Sequence, residues 1–171
     1  MTDDDLAAAA AGPLDTARFR QVLGHFCTGV TIIAALDAEG MPTGFTAQSF
    51  TSLSLDPPLV SFSPSTTSST WPKIEAAGHF CVSILAEDQE VLCRTFAESG
   101  IDKFKGVGWW PAPATGSPVM LDALAWVDCR ITEVHPAGDH LIVVGQVLSL
   151  KLQREGKPLL FYRGGFGRFE A

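Results

Sequence analysis

The chain of 171 residues lacks several of the patterns that announce a function. Its four cysteines, Cys27, Cys81, Cys93 and Cys129, form no C-x-x-C pair. Its four histidines, His25, His79, His135 and His140, form no H-E-x-x-H pattern, so neither a zinc finger nor a zincin is encoded and no metal is expected. No Walker loop is present, and no G-x-G-x-x-G opens a helix. Charged residues make up only 18% of the chain and the net charge is −7, which argues against nucleic acid and anionic membranes as partners. No apolar run approaches transmembrane length. The start, MTDDDLAAAA, is acidic where a secretory signal is basic. A cytoplasmic protein is the expectation, with residues 1–14 as a flexible tail and residues 15–171 as one domain.

What the chain does have is 46% hydrophobic residues and many β-branched runs. LDTARFRQVLGHF carries a cap candidate at Asp15, then Phe19, Val22, Leu23 and Phe26 at helical spacing, which predicts a short amphipathic helix. FCTGVTIIAAL reads as a strand, TGFTAQSFTSLSL as a second and DPPLVSFSP as a third. TTSSTWPKIEAAG predicts a hydroxyl-rich loop running into a helix with Pro72 in its first turn and Gly78 at its end. HFCVSIL is a strand. AEDQEVLCRTFAES is a helix, with Val91, Leu92 and Phe96 as its inward stripe. KFKGVGWWPAPATGSPV is a long Gly- and Pro-rich connection. LAWVDCRITEVHP and DHLIVVGQVLSLKL pair across a PAGD turn, and KPLLFYRG closes the chain. Many strands with a few short helices predict a mostly β fold, a barrel rather than a parallel α/β sheet. The apolar neighbours of all four cysteines predict buried free thiols.

Two stretches carry polar chemistry without charge. Thr46, Gln48, Ser49, Ser52 and Ser54 offer hydrogen-bonding groups to the edge of a planar heteroaromatic ring, or else form the wet face of an exposed strand. SPSTTSST offers hydroxyls and amides to a phosphate, or else is a plain turn. His140 follows a tight turn, and Tyr162 and Arg163 end the last strand. No nucleophile–base pair stands out, so any reaction belongs to a bound cofactor.

The ordered set GFTAQSFTSLSLDPPLVSFSP, HFCVSIL, DKFKGVGW, GDHLIVVGQV and PLLFYRG resembles the short-chain flavin reductases, the reductase components of two-component flavin-dependent monooxygenases. The resemblance spans Asp15 to Gly167. It implies a split β-barrel of Greek-key antiparallel type, a homodimer, and hydride transfer from NADH or NADPH to FMN or FAD. By position it implies that Thr46, Ala47, Gln48 and Ser49 line the isoalloxazine, with Ser52 toward the ribityl chain and phosphate. Ser63, Pro64, Ser68 and Thr70 fall in the second flavin loop, which lacks the basic residue relatives often carry there. Lys103 and Phe104 match a KF element, with the lysine near the phosphate. His140, as catalytic residue, Tyr162 and Arg163 match positions near the nicotinamide. Phe45, Phe50, Leu53 and Leu55 are expected to anchor the binding segment in the core. The competing readings are a flavin carrier or sensor without turnover, a pyridoxamine-phosphate-oxidase-like barrel, and a structural barrel.

Overall fold

A computed structural model describes residues 15–170; the expected tail lies outside the described residues. Helix α1, Thr16–Leu23, starts where the cap was expected, with the Arg18 N–H donating to Asp15 Oδ1 at 2.6 Å. Its apolar residues face outward, and none is buried. The following strands are β1 (Thr28–Gly29), β2 (Thr31–Leu36), β3 (Pro42–Ala47), β4 (Thr51–Leu55) and β5 (Pro58–Phe62). Helix α2 (Trp71–Ala77) ends at Gly78 with φ +73°, a conformation that suits glycine. Strand β6 (His79–Ile84), helix α3 (Glu90–Ala97), β7 (Trp109–Pro111) and β8 (Pro118–Met120) precede the long hairpin β9 (Ala125–Ala137) and β10 (His140–Leu152). Strands β11 (Leu160–Tyr162) and β12 (Gly165–Gly167) end the described chain.

Seven strands form one antiparallel sheet in the order β3-β2-β6-β9-β10-β5-β4. A flat sheet of that width would set its two edges about 28 Å apart. Yet β3 and β4, the two edges, are joined by only Gln48, Ser49 and Phe50, a link that reaches at most about 15 Å. The sheet must therefore roll into a barrel, and its edges meet without pairing, which leaves a seam. Ser49 laces that seam: its Oγ accepts from the Ser63 N–H at 2.9 Å and donates to Ser63 O at 3.3 Å. The mostly β fold with a split antiparallel barrel and short flanking helices matches the expectation.

Strand β2 explains how the barrel is held. Its run TIIAAL is buried on both faces. Ile33 and Ala35 point into the barrel with Phe62, Phe80, Trp71 and Val143. Ile32 and Ala34 point outward under α3 with Phe96, Leu85 and Met120. A continuous apolar run is the sequence form of such double burial. Phe62 stands edge-on to Phe80 at 4.9 Å and to Trp71 at 5.9 Å.

Four expectations need correction. The single strand over residues 43–55 is two strands at opposite sheet edges. Leu53 and Leu55 are 52% and 90% exposed and anchor nothing in the core, whereas Phe45 and Phe50 do pack against it. In α3 Phe96 is buried and Leu92 packs against the same cluster as expected, but Val91 is 78% exposed and Cys93 takes its inward place, because the i, i+3 pair 93/96 faces β2. Cys81, Cys93 and Cys129 are buried free thiols, but Cys27 is exposed beside α1.

The long connection is not loose. Its β7–β8 ladder is fastened by Asp128, a fully buried carboxylate. Asp128 accepts from the Ala114 N–H at 2.9 Å, the Thr115 N–H at 3.1 Å and the Thr115 hydroxyl at 2.5 Å.

Candidate active site

Beside the seam lies a hollow of about 960 Å³. The end of β3 and the link bring Thr46, Ala47, Gln48 and Ser49 to it. The segment after β5 brings Ser63, Pro64, Ser68 and Thr70. The chain after α3 brings Lys103 and Phe104, and the start of β10 brings His140. Eleven of the fourteen expected site residues therefore share one cavity. Ser52, Tyr162 and Arg163 do not line it. Ser52 is exposed on β4, opposite Val60. Tyr162 meets the His25 ring edge-on at 6.0 Å, and the Arg163 N–H donates to Gly24 O at 2.9 Å. Their chain neighbours Phe161 and Gly164, with Phe166 and Arg94, line a smaller hollow of about 490 Å³, which shares Thr46, Gln48 and Ala97 with the larger one.

Within the large hollow some polar groups serve the fold. The Thr46 hydroxyl donates to Cys93 O at 2.7 Å, tying β3 to α3. Lys103 Nζ donates to Phe96 O at 2.9 Å and Gly44 O at 3.2 Å, and burial pushes its pKa below the usual lysine value. The Ser68 hydroxyl accepts from the Trp71 and Thr70 N–H groups. The Gln48 amide has no hydrogen-bond partner among the described residues and is exposed to the hollow.

His140 is set by its neighbours. Its Nδ1 lies 2.7 Å from Asp139 Oδ1, and the hydrogen bond to His140 holds the Asp139 carboxyl below the usual range. The Asp139 carbonyl accepts from both the Thr66 N–H and the Thr66 hydroxyl at 3.0 Å, and the Leu141 N–H donates to Pro64 O at 3.0 Å. The hairpin tip and the hydroxyl-rich loop are thus fastened together. With Nδ1 on the carboxylate, Nε2 is the ring nitrogen left for a ligand.

Ser65, Thr67 and Ser69 of the SPSTTSST stretch also line the hollow, as do Asp102 and Lys73, which were not singled out from sequence. Lys73 lies three residues past the loop, on α2, where it reads as an ordinary helix cation.

The flavin reductase like domain model matches residues 23–170. The chain belongs to the flavin reductase-like family. It is 50% identical over 163 residues, 95% of this chain and 83% of the relative, to a flavin-dependent monooxygenase reductase subunit, HsaB, from Rhodococcus jostii. It is 46% identical to the NADH-dependent FMN reductase SmoA of Agrobacterium fabrum, covering 88% of this chain and 84% of that one. Among solved structures, a nitrilotriacetate monooxygenase component B homologue from Mycobacterium thermoresistibile superimposes with a TM-score of 0.88 at 49% identity, over 91% of this chain and 87% of that chain.

Proposed function

We propose that this protein is an NAD(P)H:flavin oxidoreductase that supplies reduced FMN or FAD to a flavin-dependent monooxygenase. The observation that carries the reading is the hollow at the seam. It gathers the unpartnered Gln48 amide, the His140 imidazole and free hydroxyls around the apolar Ala47, Phe45 and Phe104. A flavin has the matching shape, a flat apolar face with a polar edge and an anionic tail. At about 960 Å³ the space takes a flavin and a nicotinamide ring together.

Flavin, when bound, accepts a hydride from the nicotinamide. The residues orient and shield. Gln48 and the backbone of Thr46 and Ala47 hold the ring edge. Thr46 and Ser49 act one step back, through the α3 and Ser63 contacts that fix the wall. His140 positions the nicotinamide, its tautomer set by Asp139. Holding donor and acceptor in contact is the catalytic contribution, and it needs no nucleophile. Tyr162 and Arg163 reach the nicotinamide only from beyond the hollow of their own subunit.

We also infer a homodimer. Leu53 and Leu55 on β4, Leu148, Leu150 and Leu152 on β10, the α1 residues Phe19, Val22 and Leu23, and Phe26 just beyond α1 are all exposed, more apolar surface than an isolated subunit favours. A cytoplasmic setting fits the NADH donor and the four free thiols, which stay reduced there. The test is loss of NADH absorbance at 340 nm under air with FMN or FAD added. Flavin-dependent loss is expected. Flavin binding without NADH loss would replace the reductase with a carrier or sensor.

A further inference from the structure

The hydroxyl-rich loop has no basic residue of its own, yet an anionic tail entering the hollow needs one. The loop's donors are largely spent. The Thr66 N–H and hydroxyl bind Asp139 O. The Thr67 N–H binds Ser65 Oγ, and the Ser68 N–H binds Ser65 O. The Thr70 and Trp71 N–H groups bind Ser68 Oγ. What is left unpartnered in this part of the hollow is Ser69, by N–H and hydroxyl, and the Ser63 and Thr70 hydroxyls. Lys103 has two of its three donors committed, to Phe96 O and Gly44 O.

Lys73 is different. Its side chain is 56% exposed, lines the hollow, and lies one helical turn from Thr70. Among the described residues its carboxylate partner is Asp37, an ion pair at 3.6 Å that is too long to be a strong direct hydrogen bond, so the ammonium keeps donors for a ligand. Asp37 is itself fixed, its side chain 8% exposed and its Oδ1 accepting from the Met41 N–H at 2.9 Å and the Glu39 N–H at 3.2 Å. A fixed carboxylate on one side steers the ammonium without consuming it.

We propose that Lys73, with Ser69 and Thr70, is the phosphate-reading group of the hollow, in place of Lys103 and Ser68. This rests on the flavin reading above. The ligand chemistry recognised is a phosphate ester, and Lys73 then decides between flavins that carry one and riboflavin, which does not.

The test is fluorescence titration of FMN and of riboflavin into the purified protein and its variants. In Lys73→Met, FMN affinity is expected to fall on the order of tenfold or more, the size of one lost charge-assisted hydrogen bond. Riboflavin affinity in the same variant stays as in the wild type, which also shows that the variant is folded. Lys73→Arg keeps most of the FMN affinity. Lys103→Met, which loosens the wall, weakens both flavins alike. Equal loss of FMN and riboflavin in Lys73→Met, no loss of either, or an FMN-selective loss confined to Lys103→Met overturns the assignment. A wild type that binds neither flavin and oxidises no NADH overturns the flavin reading itself.

Discussion

Lys103 ends on two backbone carbonyls, and Thr46 ends on another. Side chains that look like ligand donors are, in the folded chain, struts of the cavity that holds the ligand. His140 is the clearest remaining candidate for contact with the hydride donor, because Asp139 leaves one ring nitrogen unused. In His140→Ala, kcat/KM for NADH is expected to fall on the order of tenfold, the effect of one lost positioning contact, while FMN affinity stays put. Steady-state kinetics beside a flavin titration would check this, and unchanged NADH kinetics would remove His140 from the reaction. Sequence could place His140 after a tight turn, since PAGD is a local signal. It could not show that Ser68 turns back onto its own loop or that Lys73 swings toward it, because those depend on where α2 starts and how it leans.

At the scale of elements, the readable parts were those whose burial shows in their own residues. The run TIIAAL and the two long strands flanking PAGD announce themselves. The break at Gln48–Phe50 does not, because alternation continues across it and only the distant partners of β3 and β4 differ. The stripe of α3 was right at Leu92 and Phe96 and wrong at Val91, because counting Val91 as apolar and Cys93 as incidental fits the period almost as well. Asp128 is an element-scale device, the fastening of the β7–β8 connection to β9. Its removal leaves two backbone N–H groups and a hydroxyl without their acceptor in a closed space. Asp128→Ala is expected to destabilise the fold by about 3 kcal/mol or more. Urea unfolding would show it as a lower midpoint at an unchanged slope, and an unchanged midpoint would mean that water replaces the carboxylate.

At the scale of the molecule, exposed apolar residues recur on β4, the end of β10 and α1. A second copy is the simplest cover, and the proposed nicotinamide role of Tyr162 and Arg163 needs one, since neither lines the hollow of its own subunit. Sedimentation equilibrium is expected to give about 36 kDa, twice the 18.2 kDa of the chain. A single species at 18.2 kDa would remove the dimer and leave those two residues without a role in the site. Nothing in the sequence gathers these leucines and phenylalanines into a surface, since in a strand or helix pattern each reads equally well as core.

The seam between β3 and β4 has a consequence for the order in which the chain assembles. β9 and β10 are adjacent in sequence and can pair early, while β6 must find β9 across 51 residues, as in the pairing of His79 with Arg130. Chains dominated by such distant pairings fold in milliseconds to seconds, limited by loop closure. The two edges are tethered by Gln48–Phe50 from the start, so what comes late is the distant pairing of the strands between them. The hollow's walls come from β3, the segment after β5, the chain after α3 and the start of β10, so the cavity is complete only when those pairings are made.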